Sequence, residues 1–406
     1  MTIEALTSAS NPRRRFHWRQ YSIRALLTLV LVASVPAWWL RIELDRLASE
    51  HDAIEKLRSA GAHVTTAPAE PQWFWRHLPK TVAPYPERAE RLEAANYNCT
   101  VGSGEMPLVA RLTHLKSLFL GRLPIEDDDL AACTTLTELE YLNFTNCRRL
   151  ASKAIGHFRN ARRLRHLDFG ATPIDDAALE TIVTFEQLED LRLSYTHVSD
   201  ASMPQIVRLK GLKMLNLPRG VTSRGLRQIE RLTSLTHLSV YLRAGEDVED
   251  LRHICRLQRL RSLHIRGHVS DAGLEMIANV NSLERLSIFG NGFSDGALAD
   301  LKRSPRSRPL DVTTFTSWNK DEDDRIYAHG LPTRAEQTIA VPSPGRRPRR
   351  GSSTPNKEPT GHAKTLFMEQ SDDAENEKNQ STGTISIPSR ACGPGPRAPL
   401  DAQRGR

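Results

Sequence analysis

Large apolar residues recur at a nearly constant spacing through the middle of the chain. The pattern L-x-x-L-x-L appears eight times, with Phe, Val or Ile in some third positions. The first leucines of the units are spaced 24, 25, 24, 24, 23, 25 and 23 residues apart, at Leu115, Leu139, Leu164, Leu188, Leu212, Leu235, Leu260 and Leu283. Because successive strand residues face opposite sides, each unit predicts a short strand with one buried face. The constant period indicates stacked structural repeats.

A second apolar set follows the predicted strand in several repeats. Its last two members are three residues apart, as on one face of a helix, in the sets Ile174/Leu179/Ile182, Val198/Met203/Ile206, Val269/Leu274/Ile277 and Phe293/Leu298/Leu301. Ser-Asp or Asp-Asp pairs precede these helices and can cap them, as Ser270-Asp271 does by position. One strand–turn–helix unit cannot bury its own core, so the units must stack.

The predicted fold class is therefore α/β, a curved leucine-spaced solenoid over residues 112–312. A parallel sheet is expected on its concave face and helices on its convex face. A degenerate ninth unit, Leu310 and Val312, falls where the period predicts a terminal cap.

The N-terminus carries a different pattern, a basic cluster followed by an apolar run. Residues 13–19 contain four arginines, and residues 23–40 are mainly apolar, with Arg24 as their one charge. Roughly 20 apolar residues span the hydrocarbon core of a bilayer, and the paired tryptophans at the end of the run suit its interface. We predict a transmembrane signal anchor over residues 21–40.

The charge distribution predicts the orientation of this anchor. Basic residues favour the cytoplasmic side, so residues 1–20 are expected there and the repeats outside the cytoplasm. Two alternatives remain open, a signal peptide cleaved near Val35-Pro36-Ala37 and a buried core helix of a soluble protein. Residues 41–111 are expected to form a juxtamembrane helical and linker region, beginning with an amphipathic stretch.

The C-terminal part of the chain lacks the repeat pattern. Half of the chain's 24 prolines lie between Pro305 and Pro399, among many Ser, Thr, Gly, Arg and Glu residues. Such a segment buries too little apolar surface to offset its ordering entropy. Residues 313–406 are therefore predicted to be a disordered tail.

Composition limits the chemistry that the chain can carry. The net charge of +8 is scattered along the chain, which does not predict nucleic-acid binding. The five cysteines are far apart and include no CxxC pair, so no zinc or redox motif is evident. No nucleotide-binding fingerprint or HExxH motif is present. We predict no catalytic residues, no metal site and no cofactor.

The repeat resembles the leucine-rich repeat superfamily over roughly residues 112–312. Eight positions after the first leucine, this superfamily usually carries Asn or Cys; this chain has Cys147, Thr172, Thr196 and Asn291 in four of its repeats. The repeat length and the I/V-[ST]-D-x-x-L-x-x-I segment resemble the cysteine-containing subtype known from F-box-type ubiquitin ligase receptors. No F-box-like helical module precedes the repeats here.

The order of segments resembles that of the short-anchored repeat proteins of planctomycete bacteria. The shared features are a basic stretch, an anchor with Ser22, Arg24, Leu26 and Leu27, a Trp pair, and a helix ending near Gly61. This resemblance implies a membrane-anchored binding protein without catalysis. The alternatives are a soluble F-box-like substrate receptor and a secreted protein that binds an envelope or surface polymer.

The residues between the repeat leucines are expected to face the concave surface, where a protein partner would bind. The predicted binding residues are Tyr141, His166, Asp168, Asp190, Arg192, Asn216, His237 and His264. Register places His166 beside Asp190 and Asp168 beside Arg192, and neither Asp190 nor Arg192 is expected to be buried. The alternative is a solvated ladder of opposite charges without a ligand. The sequence identifies neither the partner nor the oligomeric state.

Overall fold

Consecutive segments of the chain place their strands side by side in one sheet. The computed structural model describes residues 23–82, 87–94, 99–304 and 309–315, and within them the sheet has eleven strands in sequence order. The strands are β1 (His63–Pro68), β2 (Glu87–Glu93), β3 (Ser117–Phe119), β4 (Tyr141–Asn143), β5 (His166–Asp168), β6 (Asp190–Arg192), β7 (Met214–Asn216), β8 (His237–Leu242), β9 (Ser262–His268), β10 (Arg285–Asn291) and β11 (Asp311–Phe315). β1 and β2 are antiparallel, and every later pair is parallel.

Helices connect most of the strands, and helices of neighbouring repeats pack together. The α-helices are α1 (Ile23–Ser59), α2 (Gln72–His77), α3 (Met106–Val109), α4 (Ala178–Ile182), α5 (Met203–Ile206), α6 (Ser223–Leu226), α7 (Asp247–Ile254), α8 (Asp271–Ala278) and α9 (Asp295–Arg303). The 3-10 helices are Ser103–Glu105, Asp127–Thr135, Ala154–Phe158, Asp200–Ser202 and Ile229–Arg231. The predicted strand–turn–helix repeat is therefore confirmed, with several helices reduced to a single turn.

The predicted strand register is confirmed across the repeats. The central leucines of β3 to β10 lie opposite one another and are fully or almost fully buried, namely Leu118, Leu142, Leu167, Leu191, Leu215, Leu238, Leu263 and Leu286. Burying a leucine side chain contributes roughly 1.5–3 kcal/mol, so this row forms the spine of the core. The expected ninth unit is β11, in which Val312 pairs with Leu286.

The Ser-Asp pairs cap helices and also connect neighbouring repeats. The Ser270 hydroxyl caps α8 by accepting a hydrogen bond from Gly273 N (3.2 Å). Ser270 also donates to Asp247 of the preceding repeat (2.5 Å). The same arrangement joins Ser294 to Asp271 at 2.9 Å. The cap thus satisfies helix N–H groups and holds adjacent helices in register.

The region predicted as helical linker, residues 41–111, contributes the first edge of the sheet. β1 and β2 both lie in it, and β2 pairs with β3 through Leu92 and Leu118. The second half of α1 is amphipathic as predicted, with Leu47, Ile54 and Leu57 buried. Ile54 and Leu57 cover the end of the repeat core that no preceding repeat covers, whereas Leu47 packs in a separate cluster with Ala69 and Trp75.

The predicted anchor is part of a longer helix. α1 runs through Leu40 without interruption to Ser59, and Gly61, with a φ of 87°, follows its end. Residues 21–22 lie outside the described residues, as does the basic segment 1–20. Within the described residues, no helix has a stretch long and apolar enough to cross a membrane.

The boundary of the predicted tail shifts slightly. Residues 313–315 belong to β11, because they add hydrogen bonds and a stacked Phe315 to the edge left by β10. The prediction of disorder from 313 onward is therefore wrong for these three residues. The remainder of the predicted tail, 316–406, lies outside the described residues.

Candidate binding face on the sheet

The residues between the repeat leucines lie on one face of the sheet, and this face is the inner face. Two of its columns are Tyr141–His166–Asp190–Met214–His237 and Asn143–Asp168–Arg192–Asn216–Ser239–His264. The predicted neighbours His166–Asp190 and Asp168–Arg192 are confirmed as register partners. All eight predicted binding residues thus lie on this face.

An aromatic stack crosses the first strands of the inner face. The rings of Phe119 and Tyr141 are stacked with centroids 4.5 Å apart, and Tyr141 stacks on His166 at 5.4 Å. The guanidinium of Arg91 on β2 lies 4.5 Å from the centroid of the Phe119 ring. Burial, with a smaller effect of Asp168, raises the pKa of Tyr141 to about 12, so its hydroxyl stays protonated. The stack presents a rigid aromatic surface from β3 to β5.

A charge cluster adjoins this stack, but its two central residues are buried. Asp190 is 4% exposed and Arg192 7% exposed, so the expectation that neither is buried is wrong. The register neighbours of Asp190 are His166 and Met214, and those of Arg192 are Asp168 and Asn216. Arg192 Nη2 lies 3.1 Å from Asp190 Oδ2 and 3.4 Å from the sulfur of Met214.

The cluster is held together by mutual charge compensation. Burial alone would lower the pKa of Arg192, but Asp190 and Asp168 together raise it. Burial raises the pKa of Asp168, against the opposing charge of Arg192 and a hydrogen bond from Gly170 N (2.7 Å). His166 Nδ1 is 3.6 Å from Asp190 Oδ2, too long for a hydrogen bond. The cluster is a pre-ordered structural element rather than a loose solvated ladder.

The predicted residues on later strands lie apart from this cluster. His237 Nε2 accepts a hydrogen bond from Arg285 Nη2 at 3.2 Å. His264 lies against Phe289, with ring centroids 4.6 Å apart, and its buried Nε2 has no hydrogen-bond partner among the described residues. Burial, and secondly the charge of Arg266, lowers the pKa of His264 to about 3. The two histidines are diagonal neighbours, as expected from the register.

A second feature of the inner face lies where the short strand β7 meets the longer β8. A small, shallow pocket opens there, lined among others by Tyr195, Pro218, Tyr241 and Arg266. The guanidinium of Arg266 lies 5.0 Å from the centroid of the Tyr195 ring. That of Arg219, which also lines the pocket, lies 4.9 Å from the Tyr241 ring.

Sequence analysis did not single out this pocket. Its clearest signal is Pro218, which occupies a column position where the other repeats have residues that can donate a backbone hydrogen bond. The contact of Tyr195 with Arg266 joins residues three repeats apart, so repeat spacing alone does not reveal it. Within the described ranges, no group of three or more His, Cys, Asp or Glu side chains could hold a metal ion.

The chain belongs to the leucine-rich repeat family. The family model described as a leucine-rich repeat region matches residues 107–321, slightly more than half of the 406 residues. Modules of this kind are typically non-catalytic interaction modules. No curated protein matches the chain.

Several solved structures are similar to this chain at low sequence identity. An internalin from Listeria monocytogenes is 20% identical with a TM-score of 0.36, and the match covers 56% of this chain and 68% of the internalin. The leucine-rich repeat ectodomain of the Arabidopsis receptor kinase HAESA, bound to an IDA peptide hormone, is 14% identical with a TM-score of 0.37, covering 66% and 50%. The match covers only 39% of the HAESA chain in the complex with IDA and the co-receptor SERK1.

Proposed function

We propose that this chain is a membrane-anchored leucine-rich repeat protein that binds a protein partner through its inner face and performs no catalysis. The observation that carries the proposal is the ordered surface formed by Phe119, Tyr141 and His166 beside the buried Asp190–Arg192 pair. Rigid aromatic side chains need no ordering when a partner arrives, so little binding energy is lost. Tyrosine and arginine are also the types that often anchor protein interfaces.

The first half of α1 supports the membrane part of the proposal. Its large apolar side chains are exposed to solvent, including Leu31, Val32, Val35 and Trp38. Large contiguous apolar surfaces of this kind mark membrane or protein contacts. Exposed Trp73 lies in α2, whose neighbouring residue Phe74 contacts Trp39 of α1 at 6.0 Å. Tryptophans grouped at one end of an apolar helix suit a membrane interface.

The proposed topology places residues 1–20 in the cytoplasm and the repeats on the opposite side. Protease treatment of sealed vesicles whose non-cytoplasmic face is outward tests this topology. If the repeats lie outside the cytoplasm, the protease reaches them without detergent. A carbonate wash tests the anchor, because an anchored chain stays in the membrane fraction. Release by carbonate, or digestion of the repeats from the cytoplasmic side only, would contradict this part of the proposal.

Site-specific crosslinking tests the binding face. A photoreactive phenylalanine analogue replaces Tyr141 on β4, and in a matched variant it replaces Lys153, which is exposed in the helical part of the same repeat. We expect a discrete protein adduct from position 141 in the producing cells and none from position 153. An adduct from the control position alone would move the binding face to the helical side.

A further inference from the structure

The pocket at the β7–β8 junction exists because the strand ladder stops there on one side. Leu217 N donates to Ser239 O at 2.9 Å. Pro218 follows and has no N–H with which to continue the ladder. β8 nevertheless continues to Leu242 and remains paired with β9. The step between the two strands leaves the pocket open, and Tyr195 and Arg266, which contact each other, both line it.

Arg266 is buried in this pocket without a carboxylate partner. It is 8% exposed, its guanidinium lies over the Tyr195 ring, and no ion pair joins it to a carboxylate among the described residues. A guanidinium has five N–H donors, and buried arginines are normally paired. Arg192, equally buried on β6, has Asp190 at 3.1 Å. The fold therefore neutralises the charge of Arg192 with a carboxylate but supplies no carboxylate for Arg266.

The surroundings of Arg266 add positive charge and no negative charge. Arg219 lies across the pocket over Tyr241, and its carbonyl oxygen accepts a hydrogen bond from Arg243 Nη2 at 3.0 Å. Within the described residues, no acid lines the pocket. The remaining lining residues are the apolar Leu217, Pro218 and Val240 and the polar Ser239.

We propose that this pocket binds a carboxylate of an acidic peptide segment, with the guanidinium of Arg266 as its anchor. The planar fork of arginine matches a carboxylate with two parallel hydrogen bonds. The apolar wall and the two tyrosine rings suit the aliphatic stem that carries an Asp or Glu carboxylate. This inference rests on the proposed function, since it assigns a chemical preference to the protein partner of the inner face.

A stability measurement separates a binding role of Arg266 from a structural one. In the full chain in detergent, Arg266→Met keeps the aliphatic stem but removes a largely buried charge that has no carboxylate partner among the described residues. We expect the thermal midpoint to stay the same or rise, because an unpaired buried charge disfavours folding. A clear fall in the midpoint would show that Arg266 supports the fold and would overturn the proposal.

Selection from a displayed random-peptide library tests the ligand class. The wild-type chain is expected to enrich Asp or Glu at one position by at least about tenfold over the unselected library. Arg266→Met is expected to lose this enrichment, and Arg266→Lys to retain only part of it, because lysine keeps the charge without the fork. Arg261→Met is the matched control, since Arg261 is an exposed arginine just before the same strand.

The outcomes separate this inference from the proposed function. Acidic enrichment that is the same in wild type and Arg266→Met would overturn the pocket assignment. Enrichment of neutral peptides only, or Arg266-dependent retention on uronate or sulfated oligosaccharides without acidic peptides, would overturn the ligand class. If position 141 crosslinks a protein but these selections fail, this inference alone is wrong. If selection succeeds but position 141 yields no adduct, the proposed binding face alone is wrong.

Discussion

The solenoid has a first half, β3 to β7, and a second half, β8 to β10. The two halves have nearly the same repeat length but divide it differently between strand, turn and helix. β3 to β7 have three residues each, whereas β8 to β10 have six or seven. The helices follow the same division, since α4 to α6 have four or five residues and α7 to α9 have eight or nine. A repeat of 23–25 residues can therefore carry either a short strand with a long irregular turn or a long strand with a regular helix.

The first half ends its strands early by means of a left-handed turn. The backbone φ is positive at one residue in each of four successive repeats, Arg122, Asn146, Ala171 and Tyr195. The residue after each turn is buried, and in three repeats it is Cys147, Thr172 or Thr196. Their side chains donate to backbone carbonyls, as Thr196 does to Leu193 O at 2.7 Å and Cys147 to Leu120 O at 3.0 Å. These carbonyls also accept a backbone N–H of a turn, as Leu193 O does from Thr196 N at 3.3 Å, so the side-chain bonds reinforce the turns.

The second half continues its ladder through glycines. Gly290 pairs with Gly267, and Gly267 pairs with Leu242. Gly267 has a φ of 105°, which side-chain-bearing residues rarely adopt. The wider inner face of this half accommodates more side chains per strand, and the pocket lies where the two kinds of repeat meet. A change in strand length within one repeat array can thus create a binding pocket.

The largest expected effect comes from adding a side chain at the glycine contact between β9 and β10. A Cβ at position 290 would lie 1.6 Å from Gly267 O, so Gly290→Ala must separate two strands. We expect a loss of more than about 4 kcal/mol in the free energy of unfolding. The measurement is chemical denaturation of the full chain in detergent.

The matched glycine in the first half is Gly156, whose added Cβ would have nothing within 4 Å. Gly156→Ala is expected to change stability by less than about 1 kcal/mol. Similar losses for both variants would show that the glycines do not distinguish the two halves.

The second prediction concerns the buried charge pair of the first half. Asp190→Lys would place two cations together in a site that excludes water, so we expect a loss of about 3–5 kcal/mol in the free energy of unfolding. Glu186→Lys reverses an exposed charge in the same repeat and is expected to stay within about 0.5 kcal/mol of wild type. A mild effect of Asp190→Lys would mean that the inner face opens readily to water at this position.

The sequence predicts the repeat number, strand register and core, because the leucine period alone determines them. It also distinguishes the two halves in retrospect, since Cys147, Thr172 and Thr196 all lie in the first half. Asn291, at the corresponding position in the second half, is instead an exposed end of β10. The sequence does not predict burial of Asp190 and Arg192, because that depends on how side chains of neighbouring strands cover each other. Nor does it predict the Tyr195–Arg266 contact, which spans three repeats.

The third prediction tests the turn of the first half. Thr172 donates from its hydroxyl to Phe144 O (2.5 Å) and accepts from Cys147 N (3.2 Å), and it is fully buried. Thr172→Val keeps the shape but removes both hydrogen bonds of the buried hydroxyl, at a loss of about 2 kcal/mol, while Cys147 N and Phe144 O keep their hydrogen bond to each other. Thr184→Val removes an exposed hydroxyl of the same half and should change stability by less than about 0.5 kcal/mol. Equal effects in denaturation would mean that the buried hydroxyl is not what holds the turn.

The smallest effect is a pH dependence that belongs to the second half. His264 has a pKa of about 3 in the folded chain, lowered by burial and by Arg266 from an ordinary value of 6.5. The unfolded chain binds a proton at His264 between these two values and the folded chain does not. Stability is therefore complete above about pH 6.5 and falls as the pH is lowered toward 3. At pH 5.5 the loss due to this one group is about 1 kcal/mol.

His264→Phe keeps a ring against Phe289 and removes the proton site, so its free energy of unfolding should fall less than that of wild type between pH 7.5 and 5.5. Parallel curves for the two proteins over this range would show that His264 is accessible to protons in the folded chain.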